Sequence, residues 1–219
     1  MTKKVKPGLF ISIEGIEGAG KSTASHFIKD YLSKHHIDVV MTREPGGTEI
    51  AEEIRSVLLK HHDEEMMPQT EALLMCASRE QHVTSKIKPA LANGMWVIGD
   101  RFSDASYAYQ GGARGLGVEK VMALQQWAIG DFQPNFTLLL DVPLEVSLQR
   151  VAKRKKRDRI ESEERVFFEV VRNTYLDLAK RFPQRYRIVD SAQEKRLVQQ
   201  KLQEHLDEMM RFWHKEVAL

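Results

Sequence analysis

Apolar and polar positions along the chain of 219 residues alternate between two periods. Leu9-Phe10-Ile11-Ser12-Ile13 is a short apolar run bounded by Gly8 and Gly15, the pattern of a buried strand. From Lys21 the period becomes helical. Ala24, Phe27, Ile28, Tyr31 and Leu32 recur at helical spacing and form a core-facing stripe. Val39-Val40-Met41 predicts a second strand, and Ile50, Ile54, Val57 and Leu58 mark another helix. Residues 70–87 read as a long helix that stops before Pro89. Residues 95–99, 136–142 and 186–189 predict three further strands, each reached through helical sequence. A closing helix is expected over 193–214, where Leu197, Leu202, Leu206 and Met209 keep near-helical spacing and Phe212 and Trp213 serve packing. Strands alternating with helices imply an α/β fold, a five-stranded parallel sheet with helices on both faces.

Composition narrows the classes. Hydrophobic residues are 42% and charged residues 29%, an ordinary globular balance. The length suits one domain over 1–219 with a full core and no staple. Lys+Arg 33 against Asp+Glu 31 leaves +2, which argues against a polycationic nucleic-acid coat protein. One cysteine, Cys76, suits a reducing cytosol. No apolar run approaches the roughly 18 residues of a membrane span. The basic first residues lead into a short strand rather than a signal peptide. A cytoplasmic protein without membrane attachment is expected. The eight histidines show no metal-ligand pattern.

The strongest motif is Gly15-Ile16-Glu17-Gly18-Ala19-Gly20-Lys21-Ser22, which fits G-x-x-x-x-G-K-[ST] between a strand and an amphipathic helix. Its glycines let backbone N–H groups turn inward on phosphate oxygens, and the helix N-terminus adds a positive dipole end. Lys21 can reach the β- and γ-phosphates, and the Ser22 hydroxyl is placed to ligate Mg²⁺. Such a loop names a nucleotide, not a reaction. The chain has no Asn-Lys-x-Asp base-reading motif and no Leu-Ser-Gly-Gly transporter signature. A small phosphotransferase or a less familiar ATPase remains.

Four further stretches resemble the thymidylate kinase family, its bacterial members most of all. They are Thr42-Arg43-Glu44-Pro45-Gly46-Gly47, Pro89-Ala90-Leu91-Ala92-Asn93-Gly94, Gly99-Asp100-Arg101 with Ala108-Tyr109-Gln110-Gly111-Gly112, and Asp158-Arg159-Ile160-Glu161. With the phosphate loop they follow the family's order and spacing over nearly the whole chain. The resemblance implies the P-loop nucleoside monophosphate kinase fold, phosphorylation of dTMP to dTDP by ATP and Mg²⁺, and a homodimer. Position alone agrees for Arg43, Asp100 and Arg101, which follow predicted strands where parallel sheets gather ligands.

An arginine at Arg43 can grip a phosphate through paired hydrogen bonds, with Pro45 stiffening the turn behind it. Asp100 can hold a magnesium-bound water or orient the phosphate acceptor, and Arg101 can bind the acceptor phosphate and offset charge on the transferred group. The resemblance assigns Arg43 to the 5′-phosphate of dTMP and Arg79 to the thymine ring. It places Ser106 near the base edge and Tyr109 against the deoxyribose. Glu17 falls near the sugar hydroxyl and the catalytic arginine. Met75 stands where the family usually has an aromatic residue stacking on the base, a departure that leaves a thioether to cover it.

Arg150, Lys153, Arg154, Lys155, Lys156, Arg157 and Arg159 form a basic run. It can be a nucleic-acid patch, a solvated helix end, or a lid over the triphosphate at about 150–161. Some family members carry an arginine inside the phosphate loop, where this chain has Gly18. The resemblance then implies that the lid supplies that charge, with Arg154 at the γ-phosphate and Arg150 against the adenine. Two rivals stay open: another nucleotide or nucleoside kinase on the same scaffold, and a nucleic-acid-binding ATPase. The balanced charge disfavours the second, so ATP and dTMP, rather than nucleic acid, are the expected partners.

Overall fold

In the computed structural model, which describes residues 5–152 and 158–216, five strands form one parallel sheet in the order β2-β3-β1-β4-β5. The strands are β1 (Phe10–Glu14), β2 (Val39–Arg43), β3 (Trp96–Asp100), β4 (Phe136–Asp141) and β5 (Tyr186–Asp190). Around them lie α1 (Lys21–Lys34), α2 (Glu49–Leu59), α3 (Pro68–His82), α4 (Lys88–Ala92), α5 (Ser103–Ser106), α6 (Val118–Ile129), α7 (Leu144–Val151), α8 (Arg165–Arg181) and α9 (Lys195–Glu216).

The central strand β1 pairs with β3 on one side and β4 on the other. Every β1 residue is buried, because crossover helices cover both faces of the sheet. Strand alternation then divides the core. Ile11, Ile13, Trp96 and Ile98 join Ile28 and Leu32 of α1 and Leu202, Leu206 and Met209 of α9. Phe10 and Val97 point the other way, to Val83, Ile87, Phe102 and Ile129. This two-sided burial is the expected α/β architecture. The closing helix also packs as expected. Trp213 meets Trp96 edge-on at 5.4 Å, and Phe212 meets Phe136 at 5.4 Å.

Two elements differ from the sequence pattern. The long helix begins at Pro68, where a missing N–H costs nothing in the first turn, and does not end at Pro89. Residues Val83–Ile87 widen into a π-helical turn, in which the Lys88 N–H donates to the Val83 carbonyl. Pro89 therefore falls in the first turn of α4, where its lack of a donor is harmless, and the helical path continues to Ala92. In α2, Ala51 and Leu58 are buried, whereas Ile50 and Val57 face outward with 54% and 46% exposure. A second π-helical turn, Tyr107–Ala113, follows α5 and carries Tyr109 and Gln110.

Beneath the sheet, fully buried Asp104 accepts from Arg185 Nη2 at 2.8 Å and from the Thr137 hydroxyl at 3.3 Å. Removing one partner of such a pair leaves a charge in a dry place. Arg185→Ala is expected to cost about 3–5 kcal/mol, seen as a lower urea midpoint with an unchanged slope. A loss below about 1 kcal/mol, the range of exposed pairs, would mean that water reaches Asp104.

Candidate active site

A cleft of about 410 Å³ opens at the carboxyl ends of β1, β2 and β3. These ends meet where the chain connections diverge to either side of β1, the place where open α/β sheets take ligands. The loop from Gly15 to Gly20 lies at its base. Gly15, Gly18 and Gly20 take φ of 136°, 74° and 93°, which only glycine adopts freely. Ile16 and Ala19 are buried and pin the loop to the core. Lys21 Nζ donates to the carbonyls of Gly15 and Ile16 at 3.1 and 3.2 Å. Desolvation, then the nearby Arg101 charge, pulls its ammonium down to about 8 against Asp100, Glu17 and Glu14. Ser22 follows at the first turn of α1 and also lines the cleft.

Gly18 explains the missing loop arginine. A Cβ there would stand 2.7 Å from the Ser147 carbonyl oxygen and 3.2 Å from Val151 Cγ2, both on α7. The helix presses directly on the loop. The Ser147 hydroxyl donates to the Glu17 carbonyl at 2.6 Å, and Arg150 Nη1 donates to the Gly18 carbonyl at 3.1 Å. No side chain fits at position 18 while α7 sits here. Arg150 Nη2 also donates to the Ser191 carbonyl at 2.9 Å, so its guanidinium walls the hollow on the far side of the loop. Arg154 lies outside the described residues, as do its neighbours 153–157.

At the end of β3, Arg101 turns its guanidinium onto Glu17. Nη2 donates to Glu17 Oε1 at 2.6 Å, and the group lies 4.8 Å over the Tyr109 ring. The Tyr109 hydroxyl donates to Glu17 Oε2 at 2.8 Å. Burial would raise the Glu17 carboxyl, but Arg101, Lys21 and Tyr109 together hold it below the ordinary value. Glu17 is thus ionised and paired. Arg101 itself has φ of 74°, a left-handed backbone that costs a non-glycine residue about 1–3 kcal/mol. Asp100 Oδ1 is buried beside the cleft and has no hydrogen-bond partner among the described residues.

The opposite wall carries the expected acceptor residues. Arg43 ends β2, and its Nη2 donates to Glu52 at 2.8 Å while remaining half exposed. Glu44 and Pro45 follow through a cis peptide bond. Arg79 is almost wholly buried: Nε donates to Glu44 Oε2 at 2.6 Å, Nη1 to the Ser106 hydroxyl at 3.1 Å and Nη2 to the Phe102 carbonyl at 3.1 Å. Met75 sits one turn earlier on α3 and reaches the same cleft. Of the expected residues that the structure describes, all but Gly15, Ile16 and Ala19 line this one cavity.

Other residues around this site were given no individual role by the sequence. Arg55 lines the cleft beside Arg43, and its Nη1 donates to the Pro45 carbonyl at 2.8 Å. It falls on α2 at helical spacing from Ala51, a signal that was available in the sequence. Gln110 also lines the cleft, and its amide N–H donates to buried Glu71 at 2.7 Å. Arg159 turns away from the cleft. Its Nη2 donates to Glu71 Oε2 at 2.5 Å and its Nε to the Leu58 carbonyl at 3.0 Å. Behind Arg101, the wholly buried Glu14 accepts from the Phe102 N–H at 2.7 Å and the Tyr175 hydroxyl at 2.8 Å.

Comparison with known proteins decides the family. The family model described as thymidylate kinase matches residues 13–202. The chain belongs to the thymidylate kinase family. The thymidylate kinase of Pseudomonas putida (strain GB-1) is 52% identical over 192 residues, covering 88% of this chain and 91% of its own length. That of Alkalilimnicola ehrlichii is 51% identical over 207 residues, covering 94% and 95%. That of Vesicomyosocius okutanii is 51% identical over 186 residues, covering 85% and 91%. The thymidylate kinase family phosphorylates dTMP to dTDP, and this chain is a phosphotransferase of that kind.

Burial, and then the charge of Asp104, pushes the Glu14 carboxyl from 4.5 up to about 7, against Ser12, Arg101 and Tyr175. The folded carboxyl holds its proton at a pH where the unfolded one has lost it. That proton's contribution to stability is present as pH falls through the folded value and lost as pH rises through it. The thermal midpoint is expected to rise on acidification from about pH 8 to about pH 6, and Glu14→Gln should flatten the rise. Equal slopes for the two proteins would contradict the shift.

Proposed function

We propose that the two walls of this cleft hold ATP and dTMP for direct transfer of the γ-phosphoryl group onto the dTMP phosphate. The observation that carries the reading is the pairing of cationic groups across one cavity. Lys21 and the loop backbone lie on one side, and Arg43, Arg55 and Arg101 lie on the other. Arginines on the acceptor wall suit a substrate that already bears a phosphate. An anionic acceptor also removes the need for a strong general base. This disfavours a nucleoside kinase, which must deprotonate a 5′-hydroxyl.

In this reading the loop amides of Gly15 to Ser22 and the Lys21 ammonium bind the donor phosphates. Arg101 spreads its charge over the group in transit, and Glu17 with Tyr109 orients it. Arg43 and Arg55 hold the acceptor phosphate. Arg79, Ser106 and Met75 contact the base, and Tyr109 lies against the deoxyribose. Arg150 borders the adenine, and Arg154 adds a lid charge. Ser22 and Asp100 are the residues to hold Mg²⁺, and the unpartnered Asp100 oxygen suits a cation's ligand or its water. When bound, the cation neutralises phosphate charge. A cytoplasmic location fits the nucleotide substrates and the free, buried Cys76. Among the described residues no helix is long and apolar enough to cross a membrane.

The test is a coupled ADP-release assay with ATP and Mg²⁺, offering dTMP, thymidine, dUMP, dCMP, AMP and single-stranded DNA separately. Strong turnover with dTMP is expected, and Lys21→Ala should lose on the order of 10²–10³ of it. Turnover with thymidine but not dTMP would overturn the acceptor assignment, and stimulation by DNA alone would overturn the kinase reading.

A homodimer is part of the same proposal. α2 packs on α3 and α3 on α6, and these neighbouring helices expose Ile50, Val57, Leu73 and Trp127. Trp127 is 84% exposed, an unusual cost for so large an apolar ring. Sedimentation should give twice the 25.2 kDa chain mass, and Leu73→Asp with Trp127→Asp should shift it to one. A wild-type protein that sediments as a single chain would end the dimer reading.

A further inference from the structure

We propose that Glu14 and Tyr175 are positioning residues for Arg101, although neither lines the cleft. The inference rests on Arg101 acting in phosphoryl transfer, as proposed above.

The backbone comes first. Arg101 holds a left-handed φ of 74° without being glycine, and such a conformation persists only where its surroundings over-determine it. The residues on either side of its Cα are fixed by β1. The Arg101 N–H donates to the Ile13 carbonyl at 3.0 Å, and the Phe102 N–H donates to Glu14 Oε1 at 2.7 Å. Glu14 is the last residue before the phosphate loop. Its carboxylate therefore ties the turn carrying Arg101 to the strand that launches the donor site.

The side chain comes second. Glu14 Oε2 accepts the Tyr175 hydroxyl proton at 2.8 Å. A phenol has one proton, so the Tyr175 oxygen is left as an acceptor. Arg101 Nη1 donates to it at 3.3 Å. The guanidinium is thereby held at one corner by Tyr175 and at the other by Glu17, with the Tyr109 ring beneath it. Tyr175 comes from α8, the helix that follows the basic segment. Three separate elements converge on one arginine.

Stability gives a poor reason for this arrangement. A carboxylate at 0% exposure, with Asp104 also close enough to raise its proton affinity, is expensive to keep in a core. The groups facing Glu14 are Ser12 from its own strand, Lys21 from the start of α1, Phe102 N–H and Arg101 from the β3 end, Asp104 from α5, Tyr175 from α8 and Tyr186 from β5. The hydrogen bonds among them lead from Glu14 to Arg101, by the backbone and by the phenol.

The experiment is a double-mutant cycle on the full-length enzyme. The proteins are wild type, Tyr175→Phe, Glu14→Gln, Arg101→Ala and Tyr175→Phe with Arg101→Ala, each measured for kcat, for KM of ATP and dTMP, and for thermal midpoint. Tyr175→Phe removes one oxygen and is expected to lower kcat roughly 10–100-fold, the scale of a misplaced catalytic group. Its KM for ATP should stay within about two-fold, and Glu14→Gln should lose kcat in the same way. In the Arg101→Ala background, Tyr175→Phe should cost less than about two-fold, because the group it positions is gone. An equal loss in both backgrounds, or a fall in thermal midpoint with kcat unchanged, would overturn the proposal. Arg101→Ala with near wild-type kcat would overturn the role of Arg101 itself, a failure distinguishable from the first because it appears in the single variant.

Discussion

The ion pair between Glu17 and Arg101 joins the two halves of the cleft, and the remaining geometry is arranged around it. Glu17 belongs to the phosphate loop and Arg101 to the end of β3, so a contact of 2.6 Å fixes the distance between the loop and the β3 end. Glu17 cannot bind phosphate, since like charges repel. Its carboxylate instead holds a guanidinium in the cleft. Tyr109 supports both partners, by a hydrogen bond to one and a ring face to the other. An arginine so held has little left to reorganise when charge develops beside it.

The same logic of held cations recurs at Arg79, on another part of the cleft wall. Arg79 is engaged by Glu44, Ser106 and the Phe102 carbonyl before any ligand arrives. Glu44 also accepts from His82 at 3.1 Å, and His82 bonds Thr42 at 2.6 Å, so the loop after β2 is bolted to α3. Below it, Glu71 collects Gln110, Arg114 and Arg159. These buried carboxylates cost desolvation energy and return fixed positions. The molecule spends stability on rigidity around the cleft.

Much of this was legible in the chain. Short apolar runs marked all five strands, and the glycine-lysine-serine spacing marked the phosphate loop, because each signal lies within a few consecutive residues. Arg43, Asp100 and Arg101 were legible for a further reason, since the carboxyl ends of parallel strands are predictable once the strands are. The π-helical turns were not legible, because a count at 3.6 residues per turn cannot register one extra residue. Pro89 consequently looked like a stop. Glu14 read as the polar end of a strand, yet its partner Tyr175 lies 161 positions away. Arg159 and Glu71 are 88 positions apart and meet only through the fold. Local pattern reveals elements and loops; pairings between distant side chains require the tertiary packing that brings them together.

Gly18 has a consequence for descent. Because α7 occupies the space a side chain would need, the loop cannot acquire an arginine by one replacement. The helix would first have to withdraw, breaking the Ser147 and Arg150 contacts that hold the loop's shape. In this chain the obstacle to a loop arginine is therefore the packing of a helix and not the loop's own sequence.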